Sequence, residues 1–255
     1  MSGMLQPEVA VLGATGLVGG GVVQALLEAG SPVLAIGRSA LRLKALKDRF
    51  ADAPALDTMA GSVAGDAAAE ALANRIADRS RPLAAVVACI GSPLSKGRLL
   101  DRPASALLKR LQNDLLPHLA AARHLLPLLA DFGGRYVLVG GPCALRAWAG
   151  HGDISIVASA TRMLAHVLHE EAQPLGVRVQ LLSVDQPVRN PAQPTEACRE
   201  WLDPPTVGRS AVSLLAGRGV PGQVVVGVDR LLASLPVTGL MAGVSLPLPT
   251  QEVSQ

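Results

Sequence analysis

The sequence predicts an α/β fold, a doubly wound parallel sheet of seven strands in a single domain spanning residues 1–255. Three observations predict it. Short apolar or β-branched runs alternate with helical patterns along the chain; the first of these runs passes through a glycine-rich turn straight into a helix; and no linker, repeat or charge block divides the sequence. Right-handed crossovers between parallel strands then place helices on both faces of the sheet. An apolar share of 49%, carried by Ala, Leu and Val with only 2% aromatics, suits strands covered on both sides.

Strands are expected at Glu8 to Leu12, Val33 to Ile36, Thr58 to Ala60, Ala84 to Cys89, Tyr136 to Val139, Val177 to Leu182 and Gln223 to Gly227, most of them beside Gly or Pro. The first helix carries Leu17, Val18, Val22, Leu26 and Leu27 at helical spacing and stops at Gly30. A second follows the N-cap candidate Ser39, with Leu43, Leu46 and Phe50 on one face. Further helices are expected from about Asp66 to Asp78, Pro103 to Ala130, Ser155 to Gln173 and Pro205 to Ala216. Pro117 and Pro127 kink or end the longest of these, because proline lacks the N–H that the helix ladder needs.

Composition excludes several functions. The net charge of +3 is spread without a basic run, and two Trp, one Tyr and two Phe cannot supply stacking platforms, so no nucleic acid partner is expected. Apolar stretches are interrupted well short of the about 20 residues of a membrane span, so no membrane partner is expected either. The opening MSGMLQPEVAVLG has no basic n-region and runs quickly into a strand, which predicts no signal peptide and a cytoplasmic location. Cys89, Cys143 and Cys198 are odd in number and widely spaced, which fits reduced thiols. No Cys/His pair has zinc-ligand spacing, and no metal is expected.

The sharpest motif is Gly13-Ala14-Thr15-Gly16-Leu17-Val18-Gly19, between the first strand and the first helix. Gly13 permits the tight turn, Gly16 lets a pyrophosphate approach the backbone, and Gly19 lets the helix pack close to the strand. Unpaired N–H groups at the helix start favour the anion. A dinucleotide is therefore expected, in a Rossmann-type arrangement. At the end of the second strand, Arg38 and Ser39 stand where an acidic residue would favour NAD; they offer donors to a 2′-phosphate instead. NADP(H) is expected, with NAD(H) the alternative.

With these features together, the sequence resembles the short-chain dehydrogenase/reductase family over nearly its whole length. The turn GATGxxG is closer to the extended and atypical members than to the ordinary TGxxxGxG form. Leu107 to Leu129 resembles the segment that carries a catalytic Asn, here Asn113; Gly134 to Gly141 resembles the strand that delivers the catalytic Ser; Ser155 to Val184 resembles the catalytic helix and the strand after it. Trp201 to Ala216 and Pro221-Gly222-Gln223 resemble the final helix and strand.

The resemblance implies an Asn, Ser, Tyr and Lys set, with Tyr and Lys four residues apart on one helix face. Tyr moves the proton, Lys lowers its pKa and holds the ribose, and Ser polarises the substrate oxygen. On this alignment Ile156 stands at the Tyr position and Ala160 at the Lys position, while the Ser position falls on Gly141 or Cys143. Ala88-Cys89-Ile90-Gly91 replaces the family's Asn-Asn-Ala-Gly segment, Asp185-Gln186-Pro187 its Pro-Gly, and Gly61-Ser62 stand where an Asp commonly meets the adenine. Cys89, Ile90, Gly91, Asn113 and Pro187 are thus expected beside the cofactor, with Thr15, Leu17 and Val18 of the turn. Neither Ile nor Ala exchanges a proton. His151, two residues before Asp153, is the candidate substitute acid. His118, His124, His166 and His169 are read as structural.

Three functional readings follow. The leading one is an NADP(H)-binding family member with an eroded active site, acting as a cofactor-dependent sensor, scaffold or subunit. The second is an NADPH-dependent carbonyl reductase with a non-standard proton donor, and the third a scaffold that has lost the cofactor. The resemblance also implies a homodimer or homotetramer built through the two long helices. Val184 to Leu202, rich in Pro and carrying Arg189, Glu196, Arg199 and Glu200, reads as a lid over a small-molecule pocket whose ligand the sequence leaves unnamed.

Overall fold

A computed structural model describes residues 6–192, 201–218 and 222–233. The opening five residues, Cys198, Glu196, Arg199, Glu200 and Pro221 lie outside the described residues. The strands are β1 (Glu8–Leu12), β2 (Val33–Gly37), β3 (Leu56–Ala60), β4 (Leu83–Ala88), β5 (Arg135–Gly140), β6 (Arg178–Ser183) and β7 (Val225–Gly227). They form one sheet in the order β3-β2-β1-β4-β5-β6-β7, and every pairing is parallel. The reversal of strand order between β1 and β4 opens a crevice above their C-terminal ends, where ligands bind in open α/β sheets.

Helices cover both faces. On one, α1 (Leu17–Glu28), α2 (Ala40–Arg49), α7 (Pro204–Leu215) and α8 (Val228–Ala233) pack against Val9, Val11, Val33, Ala35, Val87 and Val137. On the other, α3 (Asp66–Ala77), α5 (Leu116–Leu125) and α6 (Gly152–Ala172) cover Ala10, Leu12, Val86, Tyr136 and Leu138. Alternate strand residues feed alternate layers, as a period of two requires. The doubly wound parallel sheet is as the sequence predicts. Glycines also set one helix contact, because a Cβ on Gly21 would lie 2.2 Å from Pro204 O and one on Gly208 2.2 Å from Gly21 O.

The long helix expected from Pro103 to Ala130 is three pieces: α4 (Ala104–Asp114), α5, and a 3₁₀ turn over Pro127–Phe132. Pro117 falls in the first turn of α5, where its missing N–H costs nothing, and the chain bends just before it at Leu115. The helix after β5 starts at Gly152, three residues earlier than expected, so His151 becomes its N-cap residue.

One end of the sheet is tied by ion pairs. At the N-terminal end the Glu8 carboxylate, 1% exposed, accepts from Arg79 Nε at 2.8 Å and Nη2 at 2.9 Å, and Arg79 also reaches Asp57 at 2.8 Å. One guanidinium thus joins β1, β3 and the turn after α3.

Candidate functional site

The turn after β1 is built as a cradle. Gly13 has φ +71°, a left-handed conformation that favours glycine, and a Cβ there would lie 2.2 Å from Cys89 O at the end of β4. Gly19 packs so close beneath the turn that a Cβ would lie 2.1 Å from Gly13 O. Gly16 is exposed, and its Cβ position meets only Gly13 O, at 3.2 Å. No side chain caps the start of α1. The N–H groups of Leu17 and Val18 therefore have no intrahelical acceptor and point out of the helix N-terminus. Thr15 packs beside Gly37 at the end of β2, bringing the turn next to exposed Arg38. Ser39 has a local job as well, since its Oγ accepts from Arg42 N at 3.3 Å and caps α2.

Beside the cradle lies a cavity of about 110 Å³. Its floor is the strand ends: Ile90 and Gly91 after β4, Val139, Gly141 and Pro142 at β5. One wall is α6, presenting Ile154, Val157, Ala158 and Thr161. That wall is apolar, because the Thr161 hydroxyl donates to Val157 O at 2.9 Å within its own helix. The opposite wall carries Ser92, Arg110, Asp114 and His118. Ser92 Oγ donates to Asp114 Oδ1 at 2.5 Å, and Arg110 Nε stands 3.1 Å from Asp114 Oδ2. His118 is 1% exposed and its Nε2–H faces Ile90 O at 3.3 Å, leaving Nδ1 without a partner. Burial pushes its pKa down to about 4, so the ring is neutral at physiological pH.

The loop between β4 and α4 closes over this wall. Asp153 at the start of α6 accepts from Ser95 Oγ at 3.1 Å and lies 3.7 Å from Arg110 Nε and 3.8 Å from Arg102 Nη1. His151 Nδ1–H donates to Ser95 O at 2.9 Å, its ring centroid 4.2 Å from that of Trp148. Arg102 also donates to Lys96 O, and Gly97 N to Gly150 O.

Several expected site residues stand elsewhere. Asn113 is exposed, whereas its neighbour Asp114 is buried in the cavity wall; one residue turns the side chain by about 100° around the helix. Ile156 is 39% exposed on the outer side of α6, and Ala160 shares that side; the pairs spaced four residues apart on the cavity side are Ile154 with Ala158 and Val157 with Thr161. His151 is buried under the loop rather than solvated, and it does not line the cavity. Cys143 has φ +73° in the turn after β5, away from the lining, with its thiol pKa raised by partial burial. Gly141, Ile90 and Gly91 do line the cavity. Cys89 lies beneath Gly13, its thiol pushed up to about 12 by burial. Pro187 is half-buried in the segment after β6, which Val188 and Leu202 tie together by a bridge. Tyr136 is fully buried in β5.

Sequence reasoning missed Ser92, Arg110 and Asp114 and assigned His118 a structural role. A partial signal was present: Arg110 and Asp114 stand four residues apart on one helix face, and His118 follows four residues on, in the next helix.

The comparisons with known proteins agree with this architecture. Residues 13–214 match the family model described as enoyl-(acyl carrier protein) reductase. No curated protein sequence matches the chain. Among solved structures, a short-chain dehydrogenase from Mycobacterium smegmatis shares 21% identity over 89% of this chain and 93% of that one, with TM-score 0.75. A short-chain oxidoreductase from Pseudomonas aeruginosa PAO1 containing an atypical catalytic centre shares 19% over 91% and 98%, with TM-score 0.77. A short-chain dehydrogenase from Sphingobium yanoikuyae in complex with NADPH shares 18% over 87% of each chain, with TM-score 0.71. At these identities the likeness is one of fold.

Proposed function

This chain belongs to the short-chain dehydrogenase/reductase family, and from that premise we propose that it binds NADP(H) in a site that does not run the family's tyrosine and lysine chemistry. The observation that carries this reading is the α6 wall. A proton-transferring Tyr and its Lys partner belong on the cavity side of this helix, four residues apart, and that side holds Ile154 with Ala158 and Val157 with Thr161, whose hydroxyl is committed to Val157 O. Asp114 lines the cavity beside Asn113, where the resemblance puts the Asn, and Gly141 lines it at one of the two positions that the resemblance gives for the Ser. We read the protein as a cofactor-responsive binding member of the family in the cytoplasm, where its free thiols Cys89 and Cys143 stay reduced.

The residues fit the dinucleotide. Gly16 leaves the approach to the α1 N-terminus open, and the N–H groups of Leu17 and Val18 suit a pyrophosphate. Arg38 is exposed at the end of β2, with Ser39 beside it, in reach of a 2′-phosphate. When bound, NADP(H) supplies or accepts hydride; this chain's part is to hold the phosphates and seat a second ligand in the adjoining cavity. A homodimer or homotetramer is part of the same reading. Ile156, Met163 and Val167 form an exposed apolar stripe on α6, and Leu108, Leu116 and Leu119 are exposed on α4 and α5.

Fluorescence titration with NADPH, followed by single-turnover oxidation with a panel of ketones, quinones and enones, tests the proposal. Tight binding without turnover is expected. Gly16→Asp is expected to weaken NADPH by about a hundredfold, because a carboxylate replaces the anion. Rapid turnover that Asp114→Asn or His151→Ala abolishes would support the reductase with a non-standard acid, and absence of nucleotide affinity would support a scaffold.

A further inference from the structure

The N-terminal end of the sheet carries cations that the fold treats unequally. Arg79 is held there by Glu8 and Asp57 at 2.8 to 2.9 Å. Arg135 and Arg178, the first residues of β5 and β6, stand opposite each other in the parallel register. Registered partners send their side chains to the same face of the sheet, here the face of Val137, Val139 and Leu182. Two like charges so placed repel. The neighbour of Arg135 on its other side, in β4, is Ala85, which offers no counter-charge. Neither guanidinium makes an ion pair or a side-chain hydrogen bond among the described residues. Arg135 reaches the carboxyl end of α7, where Gly217 has φ +78° and a Cβ would lie 3.1 Å from Nη2. A helix end carries about half a charge, so it offsets part of one cation and leaves the other. Burial first, and then the charge of Arg178, lowers the pKa of Arg135. Exposed Arg218, one residue beyond Gly217, adds a third cation to this end. Nη1 of Arg135 is enclosed, but its Nε and Nη2 are not, and Arg178 is exposed, so donors of both side chains are open to a ligand.

We propose that Arg135 and Arg178 form a binding site for a phosphate group, at the end of the sheet opposite the glycine cradle. The two strands are six residues each, so about 20 Å of β-structure separates this pair from the strand ends that border the cavity. A phosphate carries nearly two negative charges at neutral pH, which matches two cations, and its oxygens accept from guanidinium N–H groups. Bound between them, it replaces a repulsion by charge-assisted contacts. A lone carboxylate would leave one of the two charges over. The inference rests neither on the cofactor nor on the cavity.

The test uses the Gly16→Asp chain, whose cradle repels anions, in a chloride buffer of low ionic strength. Calorimetric titration with inorganic phosphate is expected to show a single site, which Arg178→Ala or Arg135→Gln weakens at least about tenfold. Phenyl phosphate is titrated beside it. Tighter binding than inorganic phosphate assigns the site to phosphate esters and weaker binding to free phosphate, and either supports it. Urea midpoints give the second readout. Without phosphate, Arg178→Ala is expected to be at least as stable as its parent, because a repulsion is gone; with phosphate the parent is expected to overtake it. No uptake of either phosphate, uptake that Arg178→Ala leaves unchanged, or an Arg178→Ala midpoint lowered equally with and without phosphate would each overturn the inference.

Discussion

Two ion clusters sit at opposite ends of the sheet, and they differ in how completely they are satisfied. At the N-terminal end, Glu8, Arg79 and Asp57 meet in hydrogen bonds of 2.8 to 2.9 Å, with Arg81 4.0 Å from Glu8. At the C-terminal end, Arg110, Asp114, Asp153 and Arg102 stand 3.1 to 3.8 Å apart, and Arg110 Nε and Asp153 Oδ1 lack hydrogen-bond partners. The first cluster runs from buried Glu8 out to half-exposed Asp57, and the second borders a cavity. A fully paired cluster serves the fold, whereas a partly paired one beside a cavity keeps hydrogen-bonding capacity for something else.

Removing one partner from each cluster gives the largest test of that contrast. Glu8→Ala removes two charge-assisted hydrogen bonds and leaves Arg79 with Asp57 alone, and is expected to cost about 2 kcal/mol, read as a lower urea midpoint at constant m. Asp153→Ala, at the looser cluster, is expected to cost less than half as much. Equal costs would show that both clusters serve the fold alike.

The next effect is a pH dependence confined to the cavity end. Burial lowers the pKa of His118 from 6.5 to about 4 in the folded chain, whereas the unfolded chain keeps the usual value. Between these values the unfolded state binds the additional proton, so the contribution of the neutral ring is complete above about pH 6.5 and lost as pH falls toward 4. The loss approaches about 3 kcal/mol at full extent. His118→Phe is expected to flatten this part of the stability profile, and an unchanged profile would place the acid sensitivity elsewhere.

The smallest effect concerns the cradle. Arg38→Ala is expected to weaken NADPH about tenfold and leave NADH nearly unchanged, since one charge-assisted contact to the 2′-phosphate is removed. Parallel titrations with both nucleotides read the difference. Stability is expected to stay the same, because Arg38 is exposed.

The glycine turn was legible because its residues are dictated locally. The positive φ of Gly13 and the close approach of Gly19 to it need glycine whatever the rest of the chain does. The cavity walls were less legible. Ile156 and Ala160, the positions that the resemblance gives for Tyr and Lys, lie on the outer side of a helix with apolar residues on both sides, where periodicity does not say which side faces the sheet. Asn113 drew attention as a type of residue, but the orientation of α4 puts Asp114 inward.

The sequence by itself determined the alternation of strands and helices, the phosphate-binding turn and the want of a Tyr and Lys pair on the helix after β5, because these depend on spacing and residue type along the chain. Only the tertiary structure decided which residues meet across it: that Ser92 donates to Asp114, that Arg110 stands between two carboxylates, and that His151 is roofed by Ser95. Such contacts depend on helix rotation and loop path, which packing against the sheet fixes and local sequence leaves open.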